Sequence, residues 1–485
     1  MPCLRTPNTS PDIARLVNDM KYLLAVMTAT ASFSTYAQVQ AWETWSDQSR
    51  LLSPVEEIIL RERPPLPLHI EVDSSKRYQQ MVGFGANISD ASAWLIQNRL
   101  NAQQRTALME DLFGRASGIG LSFTRLTIGA SDFSHTHYSL DDAPIGQTDY
   151  VLKKFSIAPM RADVLPVVKD ALRINPQLKV VASPWSAPAW MKSNGHLYQG
   201  TLRPEAYGVF AKYLERYVDA MEAEGVPIYA LTLQNEPHFE PPDYPGMRLD
   251  PSMRAKIIRQ HLGPRLAKRK KVVRILDWDH NWDEPEAPIQ TLMDPVARRF
   301  IAGVAWHCYA GDVSAQTLVH KVAPEKETYF TECSGGEWKP HWAETLPWFM
   351  RHLIIGTTRG WAKGVLLWNI ALDENHGPHL GGCNDCRGVV TIDSKTGEVK
   401  RNLDYYALAH ASRFVRPGAY RIESGTGLNQ IETVAFQNSD DQSVVLIVLN
   451  ASDAERKFSV RAGSKTFEHS MPGASAATFV WPAVQ

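Results

Sequence analysis

The chain has 485 residues, 44% of them hydrophobic and 21% charged, with a formal net charge of -1. That length holds a barrel plus an accessory domain, and an ordinary apolar content supplies a full core. The balanced charge excludes electrostatic recruitment to nucleic acid or to an anionic membrane, while 14 Trp offer faces that pack in cores or stack on sugar rings.

The chain opens on "MKYLLAVMTATASFSTYAQVQ", beginning at Met20. Lys21, the apolar run at 22–31 and the small residues before Ala37 follow the order of a secretory signal, with cleavage expected after Ala37. Residues 1–19 carry Asp12 and Asp19 and do not fit a signal, so Met20 is read as the true start and residues 1–37 as leader. No later segment is apolar enough to span a bilayer. An exported protein, secreted or periplasmic, is expected.

A Pro-rich break at 64–67 leads into "LPLHIEVD" at 66–73, which reads as a strand. Residues 38–77 are assigned to a sandwich completed by the C-terminal end of the chain. Between 78 and 410, β-rich runs alternate with helical patterns. The runs are 81–86, 122–129, 178–185, 227–236, 271–278, 301–309, 327–332 and 364–369. Continuous apolar runs of this kind suit strands buried on both faces. In "RPEAYGVFAKYLERYVDAMEAEG" the apolar residues recur three or four apart, with Pro204 at the first turn and Gly225 just past the end. The patterns before strands three and eight each contain a proline able to kink them. Eight strands with intervening helices predict a (β/α)8 barrel. An open doubly wound sheet would carry a Gly-rich phosphate loop after its first strand, and "GFGANISD" lacks that spacing. From 411 to 485, six short alternating strands separated by Gly, Asn, Ser and Asp predict an antiparallel β-sandwich.

Active sites of such barrels lie at the C-terminal ends of the strands. Read in order, those ends offer Arg125 and Asp132, Trp185, Asn235 and Glu236, Asp277 and Asp279, His307 and Tyr309, Glu332, then Trp368 and Asn369. No lysine stands there for a Schiff base, and His307 has no partner histidine at a strand end for a metal. Glu236 and Glu332, on the fourth and seventh strands, face each other across the mouth. Two carboxylates among aromatics are what cleavage of a glycosidic bond needs, one to protonate the leaving oxygen and one to attack the anomeric carbon. Asn235 beside the acid is placed to hydrogen-bond a sugar 2-OH. His307 reads either as a core histidine or as a sugar contact.

Of the five cysteines, Cys3 falls in the leader. Cys383 and Cys386 sit in "CNDC", where an oxidising compartment permits a local disulfide, and no second such pair exists to complete a zinc site. Cys308 and Cys333 follow strand-like runs and read as buried free thiols.

The ordered blocks "GFGANISDASAWLI", "RLTIGASDFS", "ASPWSAPAWMKSNG", "LTLQNEP", "WHCYAG", "TECSGGEW", "LLWNIALDENHGP" and "YYALAHASRFVRPGAYRI" resemble the family 30 glycoside hydrolases from Gly83 to the end. The resemblance implies a barrel with a side β-sandwich and retention of anomeric configuration. It implies Glu236 as acid/base and Glu332 as nucleophile. It also implies a glucose pocket of Asp90, Arg125, Trp185, Asn235, Tyr309 and Trp368, to which the reading of the strand ends adds His307. No metal or cofactor is implied. The expected partner is a β-glucoside, with glucosylceramide placed first. The "HGPHLGGCNDCRGVVTID" loop departs from the glucosylceramidase pattern and resembles the microbial members, including endo-β-1,6-glucanases, so β-1,6-glucan stands as the alternative. A carbohydrate-binding barrel without activity and a sibling specific for xylan, galactan or fucosides complete the alternatives. The sequence leaves the oligomeric state open.

Overall fold

A computed structural model describes residues 37–425 and 430–483. The leader, with Met20 and Cys3, lies outside the described residues. Eight parallel strands close into a barrel: β1 (Gly83–Asn87), β2 (Phe123–Ile128), β3 (Lys179–Pro184), β4 (Ile228–Thr232), β5 (Arg274–Asn281), β6 (Ile301–His307), β7 (Glu327–Glu332) and β8 (Ala362–Asn369). Each falls inside or beside a run expected from the sequence.

Phe123, Val181, Ala230, Leu276, Ala305, Tyr329 and Leu366, one from each of β2 to β8, pack as a layer inside the barrel. Such layers make the interior a core rather than a pore. β1 contributes glycine instead, and a Cβ on Gly85 would stand 1.8 Å from the Phe123 carbonyl oxygen. Only glycine lets β1 and β2 approach this closely.

The long helix runs Tyr207–Ala223 after a single tight turn at Pro204–Ala206, and Gly225 follows it with φ +83°. Pro166 sits in the first turn of the helix Val164–Ile174, where its missing N–H costs nothing. Pro347 lies inside Trp342–Trp348, and the chain then widens into π-type turns over Phe349–Gly356. The two prolines therefore act differently, and only the second disturbs its helix.

The sandwich is a ring of strands from both chain ends. Ala37–Trp45 pairs with Ser475–Trp481 and with Ile58–Glu62, which pairs in turn with Lys465–Met471. His69–Gln80 joins Tyr420–Ser424 to Arg456–Ala462. The last pairing is parallel, which corrects the expectation of a wholly antiparallel sandwich. The N-terminal segment also contributes more than the single expected strand.

Cys308 and Cys333 form a disulfide with Cα atoms 5.4 Å apart, correcting the reading as free thiols. They are the residues immediately after β6 and β7, which are barrel neighbours. Cys383 and Cys386 form the local disulfide that their spacing permits. Among the described residues no helix is long and apolar enough to cross a membrane.

Candidate active site

β4 ends at Thr232, and the chain turns before reaching its two polar residues. The Asn235 N–H donates to the Pro184 carbonyl of β3, and the Glu236 N–H donates to the Asp279 carbonyl of β5. Glu236 is thereby pinned between two neighbouring strands with φ +45°, left-handed backbone that a residue with a side chain adopts at some cost. Trp278 and Asp279 share that region, with φ +75° and +57°.

Three β-bulges re-aim side chains at the barrel mouth. Between β5 and β6 the register passes from Trp278 to His280, leaving Asp279 as the extra residue. Between β6 and β7 it passes over Thr331, and between β8 and β1 over Trp368. A bulge breaks the alternation of the strand and turns a side chain that would otherwise face away.

Arg125 organises the floor. It is fully buried and donates to Glu332 Oε2 at 2.5 Å, to Asn235 Oδ1 at 2.6 Å and to Asp279 Oδ2 at 2.8 Å. Its guanidinium lies 4.7 Å from the ring centre of Trp185, which stacks on Trp368 at 4.9 Å. Asp279 also accepts from Ser183 and Thr331 at 2.8 and 2.6 Å. Burial opposes its charge, but Arg125, His307 and these hydroxyls hold its carboxyl far below the usual range.

His307 bridges the two halves. Nε2 lies 3.0 Å from Asp279 Oδ1 and Nδ1 lies 3.1 Å from Glu236 Oε1. Burial alone lowers an imidazolium, yet Glu332, Asp279 and Glu236 together outweigh it and raise His307 to about 9. Nδ1 is also 3.9 Å from Glu332 Oε1. Those two glutamate oxygens are therefore no more than about 7 Å apart, short of most of the inverting range of about 6.5–9.5 Å.

Glu236 and Glu332 share one electrostatic environment and titrate as a system. Burial raises Glu236, but the neighbouring imidazoles of His280, 3.6 Å away, and His307, hydrogen-bonded at 3.1 Å, overcome it and pull the carboxyl down. Burial also raises Glu332, against the opposing charges of His307 and Arg125. Glu332 accepts from Tyr309 Oη at 3.0 Å on Oε1 and from Arg125 on Oε2. Burial outweighs those opposing charges and leaves the carboxyl above its ordinary range, while the two donors fix the position of both its oxygens.

A cavity of about 500 Å3 opens above this floor. Of the residues expected from the sequence, Trp185, Asn235, Glu236, Tyr309, Glu332 and Trp368 line it. Arg125 and His307 lie just beneath, both fully buried. Asp90 is not brought in. It starts the helix Asp90–Asn98, and its Oδ2 accepts from Ser134 and Tyr138 at 2.7 and 2.9 Å. The carboxyl on that wall is Asp132, which burial and then Glu332 push well above the carboxylate range. Gly382 backs it, since a Cβ there would stand 2.5 Å from the Asp132 Cβ. Asp132 stands among the strand ends read from the sequence, whereas His280, missed there, lines the cavity 3.6 Å from Glu236. Asp277, in contrast, is buried against Arg254 at 2.8 Å and takes no part. A larger groove of about 1140 Å3 runs along Asp111, Trp342 and Arg401, and none of the strand-end residues line it.

Residues 81–415 match the glycosyl hydrolase family 30 TIM-barrel domain, and residues 418–479 match the family 30 beta sandwich domain. An endo-1,6-beta-D-glucanase from Neurospora crassa is 35% identical over 414 residues, covering 82% of this chain and 84% of that protein. The lysosomal acid glucosylceramidase of Mus musculus is 26% identical over 441 residues, covering 85% and 83%. A solved endo-β1,6-glucanase superposes with a TM-score of 0.84 at 30% identity, covering 92% of this chain and 99% of that one. The chain belongs to glycosyl hydrolase family 30 and is a glycoside hydrolase.

Proposed function

We propose that the protein is an exported, retaining β-1,6-glucanase that cleaves within glucan chains. The observation that carries this over glucosylceramide, the substrate placed first from the sequence, is the open aromatic rim of the cleft. Tyr309 and Trp338 also line a second trough of about 340 Å3 along Lys339 and Trp348. Tyr309, Trp338 and Phe239 at the rim are 45%, 50% and 44% exposed, open platforms for further sugar rings. The 35% and 33% identities to fungal endo-1,6-glucanases, against 28% or less to glucosylceramidases, point the same way.

In this reading Glu236 protonates the glycosidic oxygen and Glu332 attacks the anomeric carbon, giving a glycosyl-enzyme ester. Glu236, now a base, takes a proton from water as it opens that ester. The hydrogen bond to His307 Nδ1 gives Glu236 a proton source in a site that otherwise favours its ionised form. Arg125 and Tyr309 fix both oxygens of Glu332 for attack. Because Asn235 Oδ1 is taken by Arg125, its amide N–H2 is the end left for the sugar 2-OH. Two disulfides fit an oxidising compartment and support export.

Product analysis on β-1,6-glucan and on glucosylceramide tests the substrate. A ladder of gluco-oligosaccharides is expected early, and turnover of glucosylceramide alone would overturn the reading. Glu332→Gln should lower kcat by about 1000-fold or more while substrate still binds. Glu236→Ala supplied with azide should yield the β-glycosyl azide, the retained configuration, and an α product would exclude Glu332 as nucleophile.

A further inference from the structure

We propose that Glu236, His280 and His307 form a binding site for one divalent transition-metal ion of the zinc class, and that loading it disables the hydrolase. The three side chains present ligand atoms that all lie within 4.8 Å of one another. Glu236 Oε1 is 3.1 Å from His307 Nδ1 and 3.6 Å from His280 Nδ1. Those two edges bracket the roughly 3.3 Å edge of a tetrahedron with metal–ligand bonds of about 2.0–2.1 Å. Three protein ligands of the histidine–histidine–carboxylate type, with the fourth position facing open space, suit zinc, cobalt or copper better than calcium or magnesium.

A second observation is independent of the spacing. His280 is 7% exposed, and its buried Nδ1 has no hydrogen-bond partner. A buried ring nitrogen without a partner is unusual, and this one is aimed at a carboxylate. A third lies behind His307, whose Nε2 meets Asp279 Oδ1 at 3.0 Å. A carboxylate on the far nitrogen of a histidine is the arrangement that orients metal-ligating imidazoles. Asp279 is itself held by Arg125, Ser183 and Thr331. Glu332 Oε1 lies 3.9 Å from His307 Nδ1, and Glu236 and His280 both line the cavity, so an ion enters by the substrate's route.

The binding stands on geometry alone; only the inhibition rests on reading Glu236 as the acid/base group. A metal on Glu236 draws charge from the carboxylate that must carry the proton to the leaving oxygen, so the group no longer protonates it.

The test titrates the full chain with Co2+, followed by visible absorption, and with Zn2+, followed by calorimetry and by hydrolysis of an aryl β-glucoside. One equivalent of Co2+ with the intense absorption of tetrahedral coordination is expected, together with Zn2+ inhibition that a chelator reverses. His280→Asn and, separately, Glu236→Gln should weaken binding by about 10-fold or more with unfolding temperatures near the parent's. Equal affinity in both variants, or weak octahedral Co2+ absorption in the parent, would overturn the site. Tight binding without inhibition would uphold it and overturn the acid/base assignment of Glu236 instead.

Discussion

Arg125 donates to Glu332, Asn235 and Asp279 from a position with no exposed surface. Its removal leaves two buried carboxylates without their cation, so Arg125→Met should cost about 3–5 kcal/mol of stability, read from the denaturant midpoint, as well as activity. Lysine carries the charge but not the fork, and Arg125→Lys should recover part of the stability and little of the activity. Which single residues could be found in the sequence follows from the same geometry. Glu236 and Glu332 end apolar runs on opposite strands, and that pattern is visible by counting. Asp279 owes its inward direction to a bulge, which no periodicity announces. His280 lies past that bulge and reads as the outward neighbour of an aspartate. Asp90, named from its motif, starts a helix, and Ser134 and Tyr138 both hold its Oδ2.

At the scale of elements, the strand ends are tied as well as turned. The disulfide between Cys308 and Cys333 begins one residue after His307 and one after Glu332, so it fixes the separation of β6 and β7 where both carry site residues. Closing a loop of 25 residues is worth about 3–4 kcal/mol through the unfolded chain. Cys308→Ser with Cys333→Ser should lower the melting temperature by the equivalent of that figure and reduce kcat at temperatures where the double variant is still folded. The pairing was within reach of the sequence, because two cysteines directly follow adjacent strands of the barrel. What hid it was treating each cysteine separately. The helix Leu403–Ser412 gives a second element-scale prediction. Its His410 is wholly buried between Thr478 and Thr44, 2.9 Å from each hydroxyl, and burial lowers it from 6.5 to about 3. Between those two pH values the unfolded chain takes up a proton that the folded chain refuses. Stability therefore falls as pH drops from 6.5 toward 3. In His410→Gln that slope should flatten by about 2–4 kcal/mol across the window, measured by urea unfolding at stepped pH.

For the whole molecule, barrel and sandwich share responsibility for the chain ends. The eight strands and the C-terminal strands were legible, because apolar runs and alternation are local signals. The ring that closes the sandwich was only partly so. Residues 38–45 were assigned to the sandwich but not read as a strand, and the partner of Ala37–Trp45, Ser475–Trp481, lies at the far end of the sequence. Deleting residues up to Glu62 removes two ring strands and bares the edges of Ser475–Trp481 and Lys465–Met471. Exposed edges of that kind template association. The shortened chain should aggregate, as judged by soluble yield and gel filtration, whereas a soluble monomer would show the ring to be dispensable.

The pairing of first strand with last also sets a timetable. Barrel strands meet their neighbours as the chain emerges during synthesis, one after another, except that β1 waits for β8. Ala37–Trp45 meets Ser53–Pro54 and Ile58–Glu62 early, but its other edge waits longer still, because Trp42 faces Thr478 of the strand Ser475–Trp481. Completion of the accessory domain thus waits for Ser475–Trp481, and a chain stalled before that strand presents an open β-edge to whatever holds it.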